Sequence, residues 1–262
     1  MSDRTIIIGG ITAGVIVAIA SLFWAGPERA VRSLTGIGVV HLTVEQEVQQ
    51  LIAQGRAAEV VEVLEAQARK HPRSPRRAAL LACGLLLAND PERARAELER
   101  FACAEGAPDS AADGPRFFDG EWELLDGEGR SSGRSRFESV CNGRAFIEHR
   151  SNRGQGAAVV FLFDARRDRW TRALITRRGG LATYKGPFVD GELQVEGMWR
   201  RGVGDDGSPL RMVFRAGEGG AVEWTHERLT DGGAWRVDAV HTYQPFVADE
   251  DGEGDEAGAQ GD

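Results

Sequence analysis

This sequence predicts a multidomain α+β chain: an N-terminal transmembrane helix, a segment of four helices, and an all-β antiparallel barrel of about ten strands. Three observations predict it. Thr5 to Gly26 is a run of 22 residues without a charge. From Thr43 to Cys103 the apolar residues follow helical spacing, and the pattern repeats at an offset of 34 residues. From Arg116 to Phe246 the period drops to two, with turn residues between short runs. The expected boundaries are an anchor at 1–26, a juxtamembrane linker at 27–42, helices at 43–104, a linker at 105–115, the barrel at 116–246 and an acidic tail at 247–262.

The anchor is justified by length. Roughly 20 apolar residues span the hydrocarbon core as a helix. Trp24 ends the run where interfacial aromatics collect, and Pro27, Glu28, Arg29 and Arg32 return the chain to water. A cleaved signal peptide is the rival, with Ala18-Ile19-Ala20 as a small-x-small site. Against it, the amino end carries only Arg4, offset by Asp3, and apolar residues continue through Leu22, Phe23 and Trp24. The expectation is a single-pass membrane protein with its bulk outside the cytoplasm.

The helical segment is justified by its repeat. Leu51 matches Leu85, Leu64 matches Leu98, Glu65 matches Glu99, Ala68 matches Ala102, and Gly55 matches Asn89, each 34 residues on. Gly55 reads as a left-handed helix end, and Asp90-Pro91 as an N-cap followed by proline at the first helical position. QGRAAEVVEVLEAQARKHP and NDPERARAELERFA resemble the second halves of two tetratricopeptide repeats. The aromatics usual in the first helix of such a repeat are missing. The resemblance implies either a surface for a protein partner or a helical spacer, with the exposed ends capped by the barrel, a second subunit or a partner.

Composition narrows the partners. Net charge is −8, but seven acids lie between Ala248 and Asp262, which leaves the remainder near −1. That tail is too polar to bury itself and reads as disordered. Basic residues are almost all arginine, scattered rather than striped, so no nucleic-acid partner is expected. Cys83, Cys103 and Cys141 form no Cys-x-x-Cys pair. They read as small buried residues, with a Cys83–Cys103 bridge as the alternative.

In the strand-rich part, turns such as Cys141-Asn142-Gly143, Asp190-Gly191 and Asp231-Gly232-Gly233 separate candidate strands. No crossover helix appears, so the strands pair antiparallel. Ten strands favour closure, which removes exposed edges. Gly120-Glu121-Trp122, Asn142-Gly143-Arg144-Ala145-Phe146-Ile147-Glu148, Phe163-Asp164, Trp170 and Leu229-Thr230-Asp231-Gly232-Gly233-Ala234-Trp235 resemble the lipocalin-like (calycin-type) barrels, and in particular a bacterial family of that shape with no assigned function. The resemblance implies a barrel and a ligand cavity. The glycine-rich first-strand signature of haem-binding barrels of this type is incomplete here, so no cofactor is expected.

EWTHERLTDGGAWRVDAVHTY, Glu223 to Tyr243, reads as the last hairpin. Setting Leu229 opposite Ala234 places Trp224, His226, Arg228, Trp235, His241 and Tyr243 on one inner face. It also separates His226 from His241 by roughly 13 Å at ~3.3 Å per residue, too far for one metal. His149 follows Ala145 and Ile147 on its strand and is expected inward with them. Arg228 must be paired if buried, or else reach out of the barrel over Trp235. These seven residues are the candidate ligand-binding set. No catalytic triad, dyad or metal site is assigned. The reading is a membrane-tethered binding protein for a small apolar or amphipathic ligand. The alternatives are an enzyme with a histidine general base, or a scaffold whose barrel is filled by its own side chains.

Overall fold

The computed structural model describes residues 42–103, 115–152 and 156–247. The expected membrane span at 5–26, most of the linker at 105–115 and the tail beyond Val247 lie outside them. Among the described residues no helix is long and apolar enough to cross a membrane. The chain divides into two compact units, Met1–Val48 and Gln49–Asp262. The helices from Ala57 onward and the whole barrel belong to the second.

Among the described residues four helices precede the strands: α1 (Val44–Ala53), α2 (Ala57–Lys70), α3 (Pro75–Leu87) and α4 (Pro91–Ala102). The 34-residue offset is visible in the backbone. Gly55 and Asn89 both take positive φ, at 72° and 61°. Beyond them Arg56 N–H donates to the Leu51 carbonyl and Asp90 N–H to the Leu85 carbonyl, each at 2.9 Å. That six-to-one bond closes a helix whose next residue turns left-handed. Ser74 caps α3 by accepting from Arg77 N–H, and Asp90 caps α4 by accepting from Arg93 N–H. Each cap precedes a proline whose missing N–H costs nothing at that position.

Eleven strands follow in one antiparallel sheet: β1 (Gly120–Leu125), β2 (Ser131–Val140), β3 (Ala145–Asn152), β4 (Ala157–Asp164), β5 (Arg169–Thr176), β6 (Leu181–Gly186), β7 (Phe188–Val189), β8 (Glu192–Arg200), β9 (Ser208–Ala216), β10 (Val222–Leu229) and β11 (Trp235–Pro245). Sequence neighbours pair, except β6 with β7, and two further pairs, β1 with β11 and β6 with β8, close the sheet. Ten strands thus form a closed up-and-down barrel, and the short β7 is appended to β8. Closure between β6 and β8 brings backbones close together. A Cβ added at Gly197 would lie 2.1 Å from the Thr183 carbonyl oxygen, and one at Gly186 would lie 1.7 Å from that of Gln194.

One end of the barrel is packed solid. Phe117 and Phe118 lie in a short 3-10 turn just before β1. Trp122 Nε1 donates to the Phe118 carbonyl at 2.9 Å and fixes that turn. The Phe118 ring then sits inside the barrel, with centroids 4.8 Å from Phe137, 4.9 Å from Phe161, 5.4 Å from Phe214 and 5.9 Å from Phe146. Aromatic pairs at these separations stabilise beyond the area they bury.

The helices are not a detached spacer. α3 is apolar on every side because it is covered on every side, by α2 and α4 and by the outer wall of β4 and β5. Cys83 Sγ approaches the Ala173 carbonyl at 3.5 Å. Outward residues of that wall, Ala158, Val160, Leu162, Ala173 and Ile175, are all buried. Arg95 of α4 pairs with Glu138 of β2. A disulfide joins Cys103, just past α4, to Cys141 in the β2–β3 turn. Neither sequence reading of the cysteines anticipated that bridge. Only Cys83 matches the reading as a small buried residue.

Candidate functional site

The β10–β11 hairpin carries most of the expected site, but in a different register. Leu229 pairs with Trp235, Arg228 with Arg236 and Glu227 with Val237; His226 then pairs with Ala239, Trp224 with His241 and Val222 with Tyr243. The register shifts between His226 and Glu227, which leaves Asp238 as the extra residue of a bulge. A one-residue slip exchanges the faces of everything beyond it. Trp224, His226, His241 and Tyr243 therefore share the inner wall, whereas Trp235 and Val237 turn outward. Trp235 lies under the Arg211 guanidinium at 4.8 Å, and Val237 is exposed.

The two histidines, expected far apart, have rings 5.5 Å from each other. Trp224 joins them. Its ring is 4.4 Å from His241 in a stacked pair and 4.5 Å from His226 edge-on. Its other neighbours are Phe214 at 5.6 Å and Tyr243 at 5.9 Å, both stacked. Arg228 does not enter the barrel. It pairs with Asp238 at 2.8 Å and is half-exposed, with its Nε buried.

His149 was placed with Ala145 and Ile147, and those three do share a face. That face is the outside of the barrel, where Ala145 and Ile147 are buried and His149 Nε2 lies 3.3 Å from Glu138. The inner face of β3 is Phe146, Glu148 and Arg150. His149 therefore leaves the candidate site, and Glu148 and Arg150 join it.

Glu148 organises the interior. Its Oε1 accepts from Ser135 Oγ at 2.8 Å, Arg150 Nε at 2.8 Å and Tyr243 Oη at 3.0 Å. Arg150 Nη2 also donates to Tyr243 Oη at 2.6 Å. Burial alone would raise the Glu148 carboxyl, but Arg150, Arg172 and Ser135 outweigh it and hold the group below its usual range. Arg172, on β5 between Trp170 and Leu174, is 2% exposed. Its guanidinium carbon lies 5.4 Å from the Phe161 ring and 5.7 Å from the Tyr184 ring. Burial, with Arg172 opposing, pushes the Tyr184 hydroxyl up to about 12. Burial first, then the fields of Arg172, His241 and Arg150, push His226 down to about 3. His241 is lowered by burial and by Arg150.

Burial along the inner wall is graded. Phe214, Val222, Trp224 and Tyr243 are fully buried, while His226, Ala239, His241, Leu174 and Trp199 are half-buried. The barrel therefore has a packed end at Phe118 and a mouth at His226 and His241, with Arg150, Arg172 and Glu148 just beneath. The imidazoles are neutral at physiological pH, and the arginine fields beside them disfavour a bound cation. Among the described residues no three His, Cys, Asp or Glu side chains gather as metal ligands. What the mouth offers is an aromatic wall and a layer of hydrogen-bonding groups with excess positive charge.

No protein-family model matches the chain, and no curated protein is significantly similar to it. Its likeness to lipocalin-like proteins is therefore one of architecture: a closed antiparallel barrel of ten strands.

Proposed function

We propose that this chain is a membrane-tethered binding protein whose barrel mouth takes a small apolar or amphipathic ligand and whose helices dock a protein partner. The observation that carries the reading is the graded inner wall, with Trp224 and Tyr243 buried beside a polar layer and His226 and His241 half-buried at the rim. Concave, mostly apolar sites with a few fixed polar groups are the usual form of a ligand pocket. For the helices, the support is an open groove of about 560 Å³ with Ala68, Leu81, Leu85 and Ala96 in its wall, rimmed by Arg69, Arg93 and Arg100 in ion pairs with Glu65 and Glu97. A general base at His226 is the weaker reading, because a histidine held near 3 is a poor base at neutral pH. A scaffold role draws on the solid packing around Phe118. The two are separated by native mass spectrometry of the full chain, followed by denaturing extraction. A small molecule that copurifies, and is lost in a Trp224→Ala, His226→Ala double variant, supports binding. A clean apo mass with no thermal shift across a lipid and metabolite panel overturns it in favour of the scaffold.

A further inference from the structure

The interior beneath the mouth does not balance its charge. Arg150 and Arg172 lie there with one carboxylate, Glu148, whose field reaches both. Arg150 takes that carboxylate directly, at 2.7 Å through Nη2. Arg172 makes no such contact. It is 2% exposed, and its Nε and Nη1 have no hydrogen-bond partner. Trp224 Nε1 and His241 Nδ1, on the adjoining wall, are likewise without a partner, and so is Glu148 Oε2, since Arg150 contacts only Oε1. A buried guanidinium left unpaired is costly, and its natural complement is an oxyanion. Two arginines against one carboxylate leave one positive charge, which a monoanion neutralises. The surroundings are aromatic, with Phe161 and Tyr184 beside Arg172 and Trp224 stacked between His241 and Phe214.

We infer that the ligand of the barrel is a monoanionic amphiphile whose carboxylate seats against Arg172, with its apolar part running along Trp224 to the mouth. This rests on the binding reading above and narrows it to one chemical class. Arg172 is then a specificity residue, and Glu148 a positioning residue that holds Arg150 away from the incoming anion.

The test compares two probes with the same tail, sodium octanoate and octan-1-ol, on the full chain, read by quenching of tryptophan fluorescence and by calorimetry. A charge-assisted hydrogen bond in a buried site is worth roughly 10- to 100-fold in affinity. Octanoate is expected to bind tighter than octanol by that factor, and Arg172→Gln to erase the difference. Octylphosphate, run alongside, is expected to bind more weakly than octanoate, because its second charge has no partner. Equal affinity for octanoate and octanol in the unmodified protein would overturn the inference and leave a ligand-binding barrel standing. So would preference for octylphosphate. No binding of any probe at millimolar concentration would remove both the inference and the binding reading. The wild-type comparison needs no variant, so misfolding of Arg172→Gln cannot obscure the outcome.

Discussion

Removing the Cys103–Cys141 bridge is expected to cost the folded unit about 4 kcal/mol. The bridge spans 38 residues. Closing a loop of that size in the unfolded chain removes about 13 cal/mol/K of entropy, or about 4 kcal/mol at room temperature. Little native packing opposes the estimate, since Cys103 is exposed and Cys141 half-buried, so a Cys103→Ser, Cys141→Ser variant loses the crosslink and little else. For a folded unit of this size the loss lowers Tm by roughly 8 to 16 °C. Thermal unfolding with and without reductant, monitored by circular dichroism, measures it. Alkylation of the denatured, unreduced protein should modify one thiol, Cys83, and three after reduction. Midpoints within a degree of each other, or three free thiols before reduction, would refute the crosslink and the ledger built on it.

Acid should unfold the protein through the same interior that forms the site. His226 is at 6.5 in the unfolded chain and about 3 in the folded one. The unfolded state therefore binds a proton first as pH falls, and stability is lost between those values by up to ~1.4 kcal/mol per pH unit. Glu148 acts in the same direction below about 4.5, its unfolded value, because its folded carboxyl is also lowered. Tm measured from pH 7 to 4 should fall steadily, and His226→Gln should flatten the decline between 6 and 5; an unchanged slope in that variant would count against a buried, neutral His226. Gly197→Ala is expected to cost about 3 kcal/mol, the upper end of the usual overpacking range, because its methyl meets the Thr183 backbone, while Gly202→Ala, with nothing within 4 Å, should be near neutral. Urea midpoints of the two variants test the closure of β6 on β8, and similar midpoints would refute it.

How much of this was legible depends on which side of each strand is covered. The alternation of β10 and β11 pointed to Trp224, His226, His241 and Tyr243, because that hairpin buries one face and exposes the other. Its bulge was not legible. Asp238 carries no mark that separates it from a regular strand residue, and the slip it introduces moved Trp235 outward and brought the histidines together. On β3 the alternation misled for a different reason. Ala145 and Ile147 are buried on the outer face, so an apolar face did not mean an inner one, and Glu148 and Arg150 were passed over. A signal did exist in AAVVFLFD, whose unbroken apolar run marks a strand covered on both faces. Arg172, alone among apolar residues of WTRALIT, was a second. The helical punctuation at Gly55, Ser74 and Asp90 was legible because caps and left-handed ends are local chemistry. Phe118 was not, since a plug is defined by the four strands it touches.

The pairing of β1 with β11 has a consequence for the order of events during synthesis. Trp122 meets Pro245 and Leu125 meets Thr242 across that seam, so the first strand of the barrel has no closing partner until the last has been made. Until then β1 and β10 are open edges, and open edges recruit other chains. Closing a loop that long is slow relative to the local hairpins. The helices and the β2–β3 turn emerge earlier, so α3 can settle on β4 and β5, and Cys103 can meet Cys141, while the seam is still unmade. A nascent chain is thus expected to hold a stapled half-barrel on the ribosome, and a chain stopped at Ala234 to aggregate rather than bind.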